Sequence, residues 1–169
     1  MKGEGFFIAC FRKNVEVDDE VYLPKVKPEK FSNAELEILK KYVNDERVCF
    51  TKYGKTIHAI PETLLQDVRF LSSKLRVVNC GIRVGELIKD KLVPEHALAV
   101  SNITRKDIQQ IEVNYDQAIQ YLKKKELDIQ TDKRGWTLVT YQQHPLGWIN
   151  ILSNRINNYY PKELRILKD

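Results

Sequence analysis

Amide, aromatic and cationic side chains crowd the last quarter of this chain. They lie in two runs, residues 145–150 and 154–165, in which Glu163 is the only acid. Amide groups can hydrogen-bond base edges or phosphates, aromatic rings can stack on bases, and arginine can do both. A catalytic centre needs instead an activated nucleophile, an acid–base pair or a metal cluster, and these runs contain none of them. The pattern therefore predicts an RNA-contacting surface.

The polar side chains of these runs are hard to explain as core, because a buried asparagine needs hydrogen-bond partners. The asparagines in question are Asn150, Asn154, Asn157 and Asn158. We expect the cations Arg155, Lys162 and Arg165 to stay exposed and to contact phosphates. The residues expected to read or stack on bases are Asn154, Asn158 and Tyr160. The aromatic residues Trp148, Tyr159 and Tyr160 are explained equally well as packed core side chains.

Further cations precede the tail. Residues 123–125 are three lysines at the predicted end of a helix, and Lys133 and Arg134 follow shortly after. They form either a phosphate-facing patch or a solvated helix end, and Lys124 and Arg134 are its candidate RNA contacts. Four more cations lie on predicted extended segments and share one face only if the strand register allows it. These are Arg76, Arg83, Lys89 and Lys91.

Composition is ordinary for a globular protein, with 43% hydrophobic and 30% charged residues among 169. A net charge of +5 is compatible with a polyanionic partner but is weak support by itself. Cys10, Cys49 and Cys80 are odd in number and widely spaced, which indicates buried free thiols rather than a zinc site or a disulfide framework.

Neither metal chemistry nor a phosphate loop is indicated. His58, His96 and His144 have no ligand spacing between them, so we interpret them as structural or surface groups. No glycine-rich nucleotide loop and no nucleophile elbow occurs. The apolar run 6–11 is too short for a signal peptide, and no run approaches a membrane span, so we expect a soluble, cytoplasmic protein.

The chain begins with an apolar run, residues 5–11, that reads as a buried strand. This strand either joins the sheet of the domain that follows or is the last strand of a larger domain. Residues 14–30 carry many charges together with Pro24 and Pro28, a composition typical of an extended linker. The capping-box pattern at Ser32 and Glu35 predicts a helix to about residue 44.

Strands and short helices then alternate irregularly. Residues 48–53 and 56–60 predict a hairpin around Gly54, and Pro61 begins a helix to about residue 74 with its leucines inside. Residues 75–78 and 82–89 read as strands, and Pro94 marks a short helix. Asn114 caps one more helix, and strands 135–141 and 146–152 follow, with alternation that indicates a small barrel with one wet face. This order predicts an α+β fold with a boundary near residues 91–96.

Several of these motifs occur together in a known family. They are Pro94-Glu95-His96-Ala97-Leu98-Ala99, the helix with Ala118 and Tyr121-Leu122, the strand 135–141, Leu146-Gly147-Trp148, and residues 158–165. With them the chain resembles the carboxy-terminal region of bacterial Sun/Fmu-group RNA (cytosine-5) methyltransferases, which ends in a PUA-like RNA-binding domain. The resemblance is dense from about residue 92 to residue 167. Two positions depart from the family: Asn157 replaces a frequent lysine, which removes one phosphate contact, and Glu163 replaces a frequent glycine.

The resemblance implies three parts. Residues 1–30 would be a linker preceded by the final strand of a Rossmann-like catalytic domain, residues 31–93 a small α+β domain, and residues 94–169 a PUA-like mixed β pseudo-barrel. The family's S-adenosylmethionine loop and catalytic cysteine motifs have no counterpart here, so the cofactor and the catalysis would belong to the parent methyltransferase.

The implied function is to position structured RNA, ribosomal RNA first of all, for that catalytic domain. The alternative is a structural module that packs on the catalytic domain with little RNA contact. A free-standing enzyme is disfavoured, because no coupled nucleophile and base can be identified.

Overall fold

The computed structural model describes residues 29–44 and 46–168. These residues form two four-stranded sheets and several short helices, which confirms the predicted α+β class. The predicted strand at residues 5–11, Cys10 and nearly all of the predicted linker lie outside the described residues. Among the residues described, no helix has the length and apolar character needed to cross a bilayer.

The first sheet is an antiparallel meander of four strands: β1 (Val48–Tyr53), β2 (Thr56–Pro61), β3 (Ile82–Ile88) and β4 (Lys91–Pro94). The predicted hairpin is confirmed, since Tyr53 lies opposite Thr56. Gly54 in its turn has a φ of +64°, the left-handed conformation that glycine adopts without steric cost.

Helix α1 (Asn33–Lys40) precedes this sheet and begins as predicted. The Ser32 hydroxyl accepts from the Glu35 amide at 3.2 Å, and the Ser32 amide donates to the Glu35 carboxylate at 2.8 Å. The helix ends four residues earlier than predicted, because the chain after it pairs with another segment. Val43 forms a β-bridge with Thr104, and the amide of Asn44 donates to the carbonyl of Ile103.

The predicted helix after Pro61 is confirmed as a 3₁₀ turn, Glu62–Leu64, continued by α2 (Leu65–Lys74). Its predicted inward leucines are wrong: Leu64 is 49% exposed and Leu71 is 46% exposed. The strand predicted at residues 75–78 is also wrong, since this segment is an irregular connection between α2 and β3 and belongs to neither sheet. An apolar pattern does not show whether a partner surface is available.

The second sheet contains β5 (Gln110–Glu112), β6 (Gly135–Tyr141), β7 (His144–Ile151) and β8 (Ile156–Asn158) in that order. Strand β5 runs parallel to β6, and the other pairs are antiparallel. The predicted wet face of β6 is wrong, because four consecutive residues, 137–140, are buried. Both faces of this sheet are covered, so the alternation of residues along β6 does not distinguish a solvent-exposed face from a buried one.

Two helices pack on this sheet. The short helix α3 (His96–Ala99) follows β4, and α4 (Tyr115–Leu122) is capped by Asn114 as predicted. The Asn114 side chain accepts from the amide of Gln117 at 2.9 Å. Ala118 and Tyr121 are the buried residues of α4, so this helix covers the sheet with one face.

Two hydrophobic clusters lie on opposite faces of the second sheet. Leu138 and Trp148 belong to a cluster shared with α1, the first sheet and α3. Val139 and Ile149 belong to a second cluster under α4. Because the first cluster draws residues from both sides of position 93, the two sheets share a core. The division into domains at residues 93 and 94 stays a prediction.

Gly147 offers a direct test of how tightly α4 packs on β7. Its φ is +148°, and a Cβ added there would lie 2.3 Å from the Tyr121 hydroxyl and 3.0 Å from Nδ1 of His96. We expect Gly147→Ala to lower the free energy of unfolding by roughly 2–4 kcal/mol, through backbone strain and overpacking. Denaturant unfolding followed by circular dichroism measures this change.

The matched control is Gly135→Ala. Gly135 also has a positive φ, +85°, but a Cβ there meets nothing within 4 Å. Backbone strain alone should then cost about 1 kcal/mol. Equal losses in the two variants would show that the contact with Tyr121 does not constrain Gly147.

Candidate nucleic-acid interface

The predicted RNA-contacting residues separate into two groups in the folded chain. The hairpin group consists of Arg134, Asn154 and Arg155. The tail group consists of Lys124, Lys162 and Arg165, with Asn158 and Tyr160 packed beside them. Strand β8 lies between the groups, because Arg155 directly precedes it and Tyr160 closely follows it.

The hairpin group lies where β7 turns into β8. The amide of Leu152 donates to the carbonyl of Arg155 at 2.9 Å and closes the turn, leaving the side chains of Asn154 and Arg155 exposed. Arg134 immediately precedes β6, and with these two residues it lines one shallow depression of about 330 Å³. The guanidinium of Arg134 donates to the carbonyl of Lys133 at 2.8 Å. Asp128 is the acid in this depression.

The tail group forms around Lys124, at the end of α4. The Lys124 ammonium donates to the carbonyl of Tyr160. The pKa of Lys124 is lowered first by burial; Glu163 opposes that shift, and the positive charges of Lys162 and Arg165 add to it. The side chains of Lys162 and Arg165 are exposed. Three cations and one acid thus influence one another here, and the balance is positive.

The side chains of Asn158 and Tyr160 mainly make contacts within the fold and project little into solvent. The Asn158 amide donates to the carbonyl of Tyr121 at 2.9 Å, and its oxygen accepts from the amide of Tyr160 at 2.9 Å. The Tyr160 ring packs edge-to-face on His96 and Tyr121, with centroids at 5.3 Å and 5.4 Å. Each Asn158 amide atom retains further hydrogen-bonding capacity, but its first role is to hold the tail against α4.

Beneath Tyr160 lies a buried polar contact. The hydroxyl of Tyr121 donates to the carbonyl of Trp148 at 3.2 Å, and burial, followed by the neighbouring Tyr160, raises the pKa of Tyr121. This phenol therefore stays protonated and remains a donor. Nδ1 of His96 is also buried, and it has no hydrogen-bond partner among the described residues. Burial lowers the pKa of His96, and Glu163 opposes the shift.

Sequence reasoning missed one set of surface residues as a unit. Trp136, Asn150 and Asn157 lie side by side on β6, β7 and β8, and the ring of Tyr159 contacts that of Trp136. We call these four residues the aromatic–amide row. The sequence signal is an aromatic or amide residue in each of three strands. These residues can be recognised as neighbours only when the strand register is known.

The remaining predicted cations do not join either group. Arg83 forms an ion pair with Glu95 at 2.9 Å, and Lys89 lies at the β3–β4 turn with a φ of +47°. Lys133 donates to the carbonyl of Gln110 and so ties the segment before β6 to β5.

The histidines and thiols do not form a metal site within residues 29–44 and 46–168. His58 is buried and bonds through Nδ1 to the carbonyl of Cys80 at 2.7 Å, while His144 is exposed at the β6–β7 turn. Cys49 and Cys80 are free thiols, half-buried rather than buried as predicted. Burial raises the pKa of Cys80, against a smaller opposite effect of Tyr53.

Comparison with known proteins gives this geometry a context. Residues 109–166 match the family model described as "Methyltransferase RsmF PUA domain". Curated relatives carry the name "Ribosomal RNA small subunit methyltransferase F". The protein from Shewanella halifaxensis is 27% identical over 95% of this chain and 35% of its own length. Those from Shewanella pealeana and Shewanella woodyi are each 26% identical, over 95% of this chain and 34% or 35% of their own length.

The chain thus spans about a third of the length of these relatives. The resemblance to RNA methyltransferases with a PUA-like domain is confirmed. The matched segment begins just before β5 and ends after the second 3₁₀ turn, Lys162–Leu164, so it contains the whole second sheet, α4 and both groups of cations.

The buried ring of His96 predicts a pH dependence of stability. The folded pKa lies below the unfolded value of about 6.5, so the unfolded chain binds the proton more readily. Stability should therefore fall as the pH drops below about 6.5, and this loss should be smaller in His96→Asn. Thermal unfolding at several pH values between about 5 and 7.5 measures the slope.

The matched control is His144→Asn, at an exposed turn. It should keep the slope of the parent protein. If His96→Asn and the parent lose stability equally over this range, burial of the His96 ring does not govern the acid response. Staying above about pH 5 keeps the carboxylates with lowered pKa values, such as Glu35 and Glu112, out of the measurement.

Proposed function

We propose that this chain, whose residues 109–166 match the family model of the methyltransferase RsmF PUA domain, is an RNA-binding accessory module. It holds structured RNA, ribosomal RNA first of all, so that a cytosine reaches a methyltransferase domain of the parent enzyme. The observation that carries the proposal is the exposed cations at both ends of β8. The setting is the cytoplasm, where this step would contribute to ribosome biogenesis.

Charge balance supports the phosphate contacts. Arg155, Lys162 and Arg165 form no ion pair with any described residue, and the side chains of all three are exposed. Around Lys124 the cations outnumber the acid Glu163, and the charges of Lys162 and Arg165 disfavour the charged form of Lys124. A polyanion would relieve this repulsion and release its own counterions, which is the main source of affinity in such interfaces.

The residue roles follow from these positions. Arg155, Lys162 and Arg165 contact phosphates, and Lys124 and Arg134 strengthen the positive potential beside them. Asn154 can reach a base edge from the turn between β7 and β8. Asn158 and Tyr160 hold the tail group in place, and their remaining hydrogen-bonding capacity is available to a base. In this proposal S-adenosylmethionine and the cytosine-5 chemistry belong to the parent's catalytic domain, since the described residues supply no coupled nucleophile and base.

One observation favours a second candidate function, a structural module that packs on another domain. Around α2 and the segment after it, Leu64, Leu71, Leu75 and Val78 are between 46% and 92% exposed. Apolar side chains concentrated in this way often mark a contact with another protein surface. This surface is distinct from both cation groups, so the two functions are compatible, and RNA binding by the isolated chain separates them.

The double substitution Arg155→Gln and Lys162→Gln tests the proposal. It removes one phosphate contact from each end of β8, and each contact is worth on the order of 1 kcal/mol, so the two together should lower affinity about thirtyfold. The dependence of log K on log salt should also become shallower by about 1.4 if the two contacts are to a single strand and by about 1.8 if they are to a duplex. Filter binding of ribosomal RNA fragments at several salt concentrations measures both quantities.

The matched control is Arg76→Gln with Lys91→Gln, which changes net charge equally at two exposed positions outside both groups. This pair should leave affinity within about twofold of the parent protein. If the parent chain fails to bind RNA at low salt, or if both double variants weaken binding equally, the cations around β8 are not the interface, and the structural function is favoured.

A further inference from the structure

The aromatic–amide row follows from strand register. Trp136 on β6 lies opposite Asn150 on β7, and Asn150 lies opposite Asn157 on β8. Residues directly opposite in antiparallel pairs project from the same face, with Cβ atoms about 5 Å apart. This is the face on which Leu138 and Trp148 enter the shared core. The row therefore lies on the same face of the sheet as the shared core, next to the buried residues Leu138 and Trp148. Trp136, Asn150 and Asn157 are half-buried there.

Two members of the row, Trp136 and Tyr159, form an aromatic pair. The rings of Trp136 and Tyr159 meet with centroids 4.4 Å apart at an interplanar angle of 67°. Trp136 lies on β6 and Tyr159 directly follows β8, so the two side chains lean towards each other across β7. Tyr159 is held by its backbone, whose amide donates to the carbonyl of Trp148 at 3.1 Å, and its side chain is 40% exposed. A positioned, partly exposed ring offers a stacking surface at low entropic cost.

The side-chain amides of the row make no hydrogen bond in the described part of the chain. The side chains of Asn150 and Asn157 form no hydrogen bond with any other residue that the structure describes, although both are half-buried. Their neighbour Asn158 faces the other side of the sheet and uses both amide atoms. Two unpartnered amides beside an aromatic pair combine donors, acceptors and a stacking face, which is what a nucleobase edge and ring require.

The row lies between the two groups of cations. Arg155 precedes Asn157 by two residues, which is about 7 Å along the strand. Beyond Tyr159, the carbonyl of Tyr160 accepts from Lys124, and Lys162 follows. An RNA strand whose phosphates contact the cations at both ends of β8 would thus pass over the row. A base-paired duplex keeps its bases turned inward, whereas a single strand can present them.

We propose that the aromatic–amide row is a binding site for an unpaired nucleobase, formed by Trp136, Asn150, Asn157 and Tyr159. One base of a single-stranded segment stacks on the exposed ring of Tyr159, and its edge pairs with the two amides. This inference rests on the proposed RNA-binding function and adds to it a preference for unpaired RNA. Affinity for any RNA comes from the cations, and the preference for single strands comes from the row.

The test compares two RNA forms on the full chain. The platform variant, Tyr159→Leu with Asn157→Ala, removes the ring and one amide without changing net charge. For a single-stranded RNA of about 12 nucleotides we expect its affinity to fall at least about fivefold. For a duplex of the same length, which offers phosphates but no free base, affinity should stay within about twofold. Tyr159→Phe keeps the ring and should bind both forms as the parent does.

Tryptophan fluorescence gives an independent readout. Trp148 is 1% exposed and Trp136 is half-buried, so quenching by the single strand reports on Trp136. We expect quenching by the single strand and little by the duplex, and the loss of this difference in the platform variant. Thermal unfolding of each variant shows whether the fold is retained.

The outcomes separate this inference from the function on which it rests. The inference is overturned if the platform variant binds single strands as the parent does while Arg155→Gln with Lys162→Gln weakens both RNA forms. It is also overturned if the platform variant weakens both forms equally, or if the parent prefers the duplex. Failure of the parent to bind either RNA would reject the RNA-binding function itself, and the base site with it.

Discussion

Burial of the second sheet on both faces is the constraint on which the rest of the structure depends. Trp148 enters the core shared with the first sheet, and its indole nitrogen donates to the carbonyl of Glu95 at 3.0 Å. Its neighbour Ile149 enters the other core, under α4. When a strand is buried on both faces, polar side chains can reach solvent only at the ends of the strand or on the edge strands of the sheet. The second sheet therefore places solvent-accessible polar side chains on its two edge strands, β5 and β8.

The edge position of β8 and the cations that flank it determine the form of the proposed interface. Strand β8 is short and lies at the edge of its sheet, with cations before and after it. The tail beyond β8 is anchored by Asn158 and by the packing of Tyr160 on His96 and Tyr121. Packing against α4 thus holds the tail cations in place, and the turn between β7 and β8 holds the others. Rigid supports of this kind reduce the entropy lost on binding.

The sequence predicted the structure correctly where residues close together in the chain determine the conformation. The capping residues Ser32 and Asn114 begin their helices as predicted, because a cap needs only residues three positions away. Gly54 closes its hairpin for the same reason. The helix after Pro61 also formed, but its leucines are largely exposed, because the surface that they would face depends on distant parts of the chain.

The sequence by itself determined the fold class, most of the elements and the exposure of Arg155, Lys162 and Arg165, since charged side chains stay in water unless paired. Only the tertiary structure decided how these residues are grouped. It assigned Asn158 to the fold and left Asn150 and Asn157 without a side-chain partner within residues 29–44 and 46–168, although the three look alike in the sequence. The physical reason is strand register: a shift of one residue moves a side chain to the opposite face, and register is set by cores built from residues far apart in the chain.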